Sequence, residues 1–290
     1  MILILGSDGF LGSYFSKQKT NPILLHSTKT QGLNRSIFNG YFQKEKEIIQ
    51  VLNDSRITKV VNCIAIADIE KCEENPDLAK WVNSEIPKLL SKICLNKGLH
   101  FCHISTDAVF GDNKKFDEES DETNPMTVYG KSKLEGEIEV MRTNDRSVIS
   151  RVNFVGYSNT KNSLVNYFVD SYLKKEKVTG YSNVFFNPIH ASDTVRIILD
   201  LMDKGYKGMW HVVGSKRISK YSFGKTLFKK LDFNPYQLEK KKLTSFKNGI
   251  QRSFDLSLSN DKLIKSGISP QKFSDTINEI QLEVERVIGN

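Results

Sequence analysis

"LILGSDGFLGSYF", residues 3–15, decides how the rest of the chain is read. An apolar run ends in three spaced glycines, Gly6, Gly9 and Gly12, and a helical stretch follows from about Phe10. Gly6 permits a tight turn, Gly9 lets the backbone approach a pyrophosphate, and Gly12 allows helix and strand to pack closely. The helix N-terminus then offers free N–H groups to the anion. The spacing is Gly-x-x-Gly-x-x-Gly rather than Gly-x-Gly-x-x-Gly. Its force comes from its place, after a first strand and at the opening of a helix, where a dinucleotide loop must sit. Gly6, Ser7, Gly9, Phe10, Leu11 and Gly12 are the expected cofactor loop.

Outward from this loop, apolar runs alternate with helical patterns. "PILLHST" (22–28) reads as a second strand, "KEKEIIQVLND" (44–54) as a helix and "KVVNCIAI" (59–66) as a third strand. A long helix is expected over 76–98, a fourth strand over 99–106, a helix near Tyr129 and a fifth strand over 146–156. Near-continuous apolar strands separated by helices predict a parallel sheet covered on both faces, an α/β doubly wound fold of the Rossmann type. After about residue 156 the rhythm loosens. Helices are expected at 162–174, 191–203, 219–231 and 271–288, with shorter strands at 177–186 and 208–213. The domain reading is a dinucleotide-binding unit over 1–156 and a smaller mixed α/β substrate-binding lobe over 157–290, with part of 185–215 returning to the first unit.

Composition excludes several function classes. The 290 residues are 39% hydrophobic and 26% charged, which suits a globular protein with a sizeable core. No apolar run approaches the roughly 20 residues that span a bilayer. "MILILG" lacks a charged n-region and a cleavage site, so it reads as a buried strand and the protein is expected in the cytoplasm. The four cysteines, Cys63, Cys72, Cys94 and Cys102, show no metal spacing and read as free thiols. His100 and His103 bracket a strand at i,i+3 and point to opposite faces, so no metal site is expected. The formal charge of +8 is scattered through mixed runs such as "LKKEK" and "LEKKKL". No nucleic-acid signature accompanies it, and a pocket for phosphorylated ligands could use part of it.

Strand ends supply the chemistry, because ligands in open parallel sheets collect beyond the carboxyl edge. The second strand ends in Ser27, Thr28 and Lys29 with no carboxylate. Hydroxyls and a lysine suit a 2′-phosphate, which favours NADPH and leaves NADH as the other candidate. The fourth strand ends in "HISTDAVFG" (103–111), and the loop after it returns to "NPMTVYGKSKLEGE" (124–137). Tyr-x-x-x-Lys occurs four times, at Tyr129/Lys133, Tyr157/Lys161, Tyr221/Lys225 and Tyr236/Lys240. Only the first follows a hydroxyl-bearing strand end. Thr106, Tyr129 and Lys133 there form a carbonyl-reducing set.

At these motifs, and through "VVNCIAIADIEKCEENPDLAKWVN", "SRVNFVG", "FFNPIHASD" and "QRSFDLSLSNDKL", the chain resembles the extended short-chain dehydrogenase/reductases. Among them it is most similar to the dTDP-4-dehydrorhamnose reductase group. The resemblance implies NADPH-dependent reduction of the 4-keto group of a nucleoside-diphosphate 6-deoxyhexose, in surface-polysaccharide or antibiotic-sugar assembly. It implies that Thr106 binds the substrate carbonyl, that Tyr129 donates the proton, and that Lys133 binds nicotinamide ribose and lowers the tyrosine pKa. It further implies that Asn62, Cys63, Ile64 and Ala65 line the cofactor and that Asn83 braces the fourth-strand edge beside it. Asp107, Ala108, Asn153, Phe154 and Asn187 fall at substrate positions, and Arg252 is a candidate diphosphate contact. A homodimer is compatible with all of this.

The chain departs from the group at three places. The group often has tyrosine at Ala108 and tryptophan at Phe154, so a roomier sugar pocket is implied, with space for an N-acetylated sugar. An acidic residue often found near adenine aligns with Tyr41. Dehydratases on this scaffold carry Asp-Glu after the strand-four threonine, whereas this chain has Asp107-Ala108. An epimerase that retains NAD, and a binding role like that of the regulatory subunit of methionine adenosyltransferase, stay open.

Overall fold

The computed structural model describes residues 1–17, 23–26, 49, 52–112, 115–158 and 163–288. Strands β1 (Ile2–Leu5), β2 (Ile23–His26), β3 (Lys59–Asn62), β4 (His100–Thr106) and β5 (Val148–Val152) come from the first half. Four two-residue or four-residue strands follow: β6 (Phe154–Val155), β7 (Val178–Tyr181), β8 (Phe185–Phe186) and β9 (Ile189–His190). Next come β10 (Gly208–Val212), β11 (Ile218–Ser219) and β12 (Leu238–Lys241). The main sheet has the order β10-β5-β4-β3-β1-β2, and all its pairings are parallel. Helices α1 (Phe10–Phe15), α2 (Ile69–Glu74), α3 (Pro76–Lys80), α4 (Ile86–Asn96) and α5 (Val128–Thr143) belong to this part of the chain. The later ones are α6 (Leu164–Leu173), α7 (Ala191–Asp203), α8 (Lys220–Lys230), α9 (Asp261–Lys265) and α10 (Phe273–Ile288).

Alternation along β1 explains why the sheet is covered twice. Ile2 and Ile4 join Val61, Cys102 and Val148 beneath α1 and α7. Leu3 and Leu5 join Val60, Phe101 and Ile149 beneath α4 and α5. Each large apolar side chain so buried stabilises the fold by roughly 1.5–3 kcal/mol. A third core gathers Phe168 of α6, Phe223 and Phe228 of α8, and Ile277 and Ile280 of α10. The expected doubly wound α/β architecture is what the chain adopts.

Two elements differ from the expectation for physical reasons. The helix expected over 76–98 is two helices joined by a π turn, Trp81–Glu85. Pro87 has no N–H to return to the Asn83 carbonyl, so the ladder loosens there. The fifth strand breaks at Asn153. Val152 stays in the main sheet opposite Thr106, whereas Phe154 pairs with Ile189 of β9 in a separate pair. The helix expected over 44–54 lies mostly outside the described residues. The four cysteines are free.

Candidate active site

β1 has β2 on one side and β3 on the other, so consecutive strands part company at its carboxyl end. That is the switch point where a doubly wound sheet opens a crevice. Gly6 turns there with φ +78°, and a Cβ on it would lie 3.0 Å from the Cys63 carbonyl carbon. Gly9 N donates to Gly6 O at 3.0 Å. A Cβ on Gly12 would stand 2.1 Å from that same carbonyl oxygen, so α1 packs backbone to backbone on the turn. This cradle has no room for side chains and fits a dinucleotide pyrophosphate. Ser7 and Phe10 are half-buried along it, and Phe10 meets Phe154 edge-on at 5.4 Å. Leu11 points its side chain into the core, so only its backbone faces the crevice. After β3, Cys63 and Ile64 are half-buried and Ala65 is exposed. Ser27, Thr28, Lys29 and Tyr41 lie outside the described residues.

The β4 end is two strands along. Thr106 caps a 3₁₀ turn, Asp107–Val109, by accepting from Ala108 N at 3.2 Å, and its hydroxyl donates to Asp107 Oδ1 at 3.0 Å. Asn153, at the break between β5 and β6, donates through Nδ2 to Asp107 Oδ2. Burial raises the Asp107 carboxyl to about 7, against the opposing pull of Thr106, Asn153 and Lys220. Helix α5 is brought to this edge by its own N-terminus. Thr127 accepts from Gly130 N at 3.0 Å, and Glu73 of α2 accepts from Val128 N at 2.8 Å. Two glycines set its depth. Cβ atoms on Gly130 and Gly136 would fall 2.3 Å from the Ala108 oxygen and 2.2 Å from the Asn83 oxygen.

Tyr129 thus stands half-buried beside Thr106. Burial pushes its phenol above the ordinary value, a hydrogen bond with Thr106 works against this, and the Asp107 charge adds to it. The phenol is held protonated, as a proton donor must be. Lys133, one turn on, is 1% exposed and donates to Ile104 O at 2.6 Å, with His103 Nε2 at 3.1 Å. Burial lowers its pKa to about 8, against Glu137 and Cys63. Burial, rather than the expected influence of Lys133, sets the direction of the tyrosine shift.

A family profile described as "RmlD substrate binding domain" matches residues 1–285. The chain belongs to that family. It is 31% identical over 222 residues to "Probable low-salt glycan biosynthesis reductase Agl14" of Haloferax volcanii, covering 75% of this chain and 70% of that protein. A crystal structure of a dTDP-4-dehydrorhamnose reductase from Clostridium acetobutylicum superposes with TM-score 0.84 at 25% identity, covering 99% of each chain. Another dTDP-4-dehydrorhamnose reductase, from Bacillus anthracis in complex with NADP, shares the fold at TM-score 0.85 and 19% identity, over 97% of this chain and 98% of that one.

In this RmlD-family chain several expected contacts are already occupied within the protein. Asn62 is buried, with Oδ1 accepting from Ile64 N and Nδ2 against His103, so it faces inward rather than toward a cofactor. Asn83 braces the segment after β3 and α5, not the β4 edge. Its Oδ1 accepts from Ile66 N, and its Nδ2 donates to Ile66 O and Ser132 Oγ. Asn187 pairs both ways with the Leu258 backbone at 2.8 and 3.0 Å. These amides meet buried backbone groups that would otherwise go unpaired. Arg252 Nη2 donates to Glu70 Oε1 at 2.5 Å, while its Nε is buried without a partner among the described residues.

Lys220 is the residue that sequence reasoning missed. Burial and the Arg252 charge lower its pKa, and Asp107 opposes them, so Lys220 lies within electrostatic reach of both. One signal was available. Lys220 is the first residue of α8, where a cation opposes the helix dipole and needs another purpose. Among the described residues no cluster of metal-ligating side chains occurs, and no helix is long and apolar enough to cross a membrane.

Proposed function

We propose that the chain is a cytoplasmic NADPH-dependent reductase of the 4-keto group of a nucleoside-diphosphate 4-keto-6-deoxyhexose, serving surface-polysaccharide assembly. The convergence of Thr106 and Tyr129 at the β4 edge, two strands from the glycine cradle in an RmlD-family chain, carries this reading. When bound, the nicotinamide supplies a hydride to the carbonyl carbon. Tyr129 gives its proton to the oxygen that gains charge there. Thr106 donates to the same oxygen, for which its hydroxyl turns away from Asp107. Lys133 holds ribose hydroxyls, and its ammonium steadies the phenolate that Tyr129 leaves behind. Gly6, Ser7, Gly9, Phe10 and Gly12 hold the pyrophosphate, with Ser27, Thr28 and Lys29 assigned to the 2′-phosphate. Arg252 and Lys220 grip the sugar diphosphate, while Ala108 and Phe154 leave room around the sugar. Residues 1–156 carry the cofactor half and 157–290 the substrate half, with β10 shared.

The test is a screen of TDP-, UDP- and GDP-linked 4-keto sugars with NADPH and with NADH. The expected result is cofactor oxidation matched by sugar reduction, with Tyr129→Phe lowering kcat/KM by about 10²–10⁴-fold. Full turnover by Tyr129→Phe overturns the mechanism. Retained NAD with no net consumption of NADPH assigns the chain to epimerisation instead.

A further inference from the structure

Asn62 fixes the direction of a hydrogen-bond chain behind the site. Its Oδ1 accepts from Ile64 N at 3.1 Å, so Nδ2 is the atom that meets His103 Nδ1, also at 3.1 Å. An amide nitrogen only donates, which makes Nδ1 the acceptor and puts the proton of a neutral ring on Nε2. Burial, with Lys133 adding to it, pushes the imidazole well below its ordinary pKa, so the ring is neutral. Its Nε2–H faces Lys133 Nζ at 3.1 Å. Against an ammonium, which has no acceptor, that contact sets N–H against N–H. Against an amine, the nitrogen lone pair receives it while Nζ still donates to Ile104 O.

We propose that His103, held as the Nε2–H tautomer by Asn62, donates to Lys133, favours its amine form and thereby sets the alkaline limb of keto-group reduction. The activity half of this rests on the reductase reading above. His103 is a positioning residue, since it acts through Lys133. The other groups facing Lys133 oppose it. Glu137, one turn along α5, favours the ammonium, as does Cys63 after β3, which itself lies beside Cys102 of β4. Glu137 is in turn shared with Arg151 of β5 and Ser105 of β4. Burial and the His103 donor therefore work together against two anionic or ionisable neighbours, leaving Lys133 poised between its two forms.

Long-range ¹H–¹⁵N spectra of the full chain labelled at histidine, with His103 assigned by loss of its signals in His103→Gln, read the tautomer directly. The expected result is a neutral ring protonated at Nε2 from about pH 6 to about pH 9. A ring protonated at Nδ1, or a cationic one, overturns the proposal. The second readout is kcat/KM against pH. Deprotonation of Lys133 removes the cation, so activity should fall through about 8 in the unmodified protein. His103→Leu removes the donor and should move that limb upward by about half a unit to one unit. His103→Gln can still accept from Asn62 and donate to Lys133, and should keep the limb near its original place. An unmoved limb in a folded His103→Leu variant overturns the proposal. Should that variant not fold, the tautomer in the unmodified protein still decides. Should the unmodified protein reduce no keto-sugar, the reductase reading fails, and the spectra still test the hydrogen-bond chain by itself.

Discussion

One helical turn of α5 separates Lys133 from Glu137, and both side chains are 1% exposed, yet their surroundings differ in kind. Glu137 accepts from Ser105 Oγ at 2.5 Å and from Arg151 Nε and Nη2 at 3.0 and 2.8 Å. Arg151 continues to His211 Nε2 at 3.3 Å, and His211 Nδ1 meets the Ser259 carbonyl at 3.0 Å. Ser105 Oγ, all three Arg151 nitrogens and His211 Nδ1 each have a partner there. His211 is neutral, lowered to about 3 by burial with the Arg151 charge adding to it, and its tautomer suits both neighbours. The chain through Lys133 and His103 closes only if the lysine gives up a proton. Buried polar networks with matched partners hold a fold in place, whereas an unmatched one keeps a proton available for chemistry.

Glu137→Ala should have the largest effect on stability. It leaves Arg151 buried without its carboxylate, for a loss of about 3–5 kcal/mol in urea unfolding. A loss below about 1 kcal/mol would erase the contrast between the two turns.

Asp107 tests the middle ground, since its carboxyl is buried and raised to about 7 while still hydrogen-bonded. A folded-state pKa above the unfolded value of about 3.9 means that the folded chain holds the extra proton between the two values. The stability that Asp107 contributes should therefore be fullest below about pH 4 and fall as pH rises toward about 7. Asp107→Asn should flatten that slope in thermal melts, so that the variant gains on the parent at the alkaline end. Parallel profiles for the two proteins would show that Asp107 is not the group responsible.

Arg252 gives the smallest expected change. Its Nε lacks a partner among the described residues while Nη2 is tied to Glu70, so the fork is only partly used within the protein. Arg252→Lys keeps the charge and loses the bidentate grip, and KM for the nucleotide sugar should rise by about tenfold with kcat little changed. An unchanged KM would return Arg252 to the class of groups satisfied within the protein.

The main sheet was legible because strands buried on both faces read as apolar runs, and the glycines after β1 stand where strand must turn into helix. The pairing of Tyr129 with Thr106 was legible because only one of four Tyr-x-x-x-Lys pairs follows the hydroxyl-bearing end of the fourth strand. By contrast Lys225 lies exposed on α8, and Tyr236 is 92% exposed. The break at Asn153 was hidden because "RSVISRVNFVG" keeps an apolar rhythm straight through the change of partner. Asn62, Asn83 and Asn187 were singled out by resemblance, and the structure adds partners that the motifs do not show. A motif gives the position of an asparagine but not its neighbours, and here backbone amides and carbonyls distant in sequence pair with the side chains. The network behind Lys133 was invisible as well, since His103 reads as half of a histidine pair and its real partners are 41 and 30 residues away.

Gly130 and Gly136 have a consequence for inheritance. Any missense change at either codon adds at least a Cβ, and that atom would land 2.3 Å or 2.2 Å from a backbone oxygen that has nowhere to retreat. The whole reacting helix would have to lift off the sheet to make room. Loss-of-function alleles should therefore cluster at two residues with no side chain and no chemistry of their own, as densely as at Tyr129 itself.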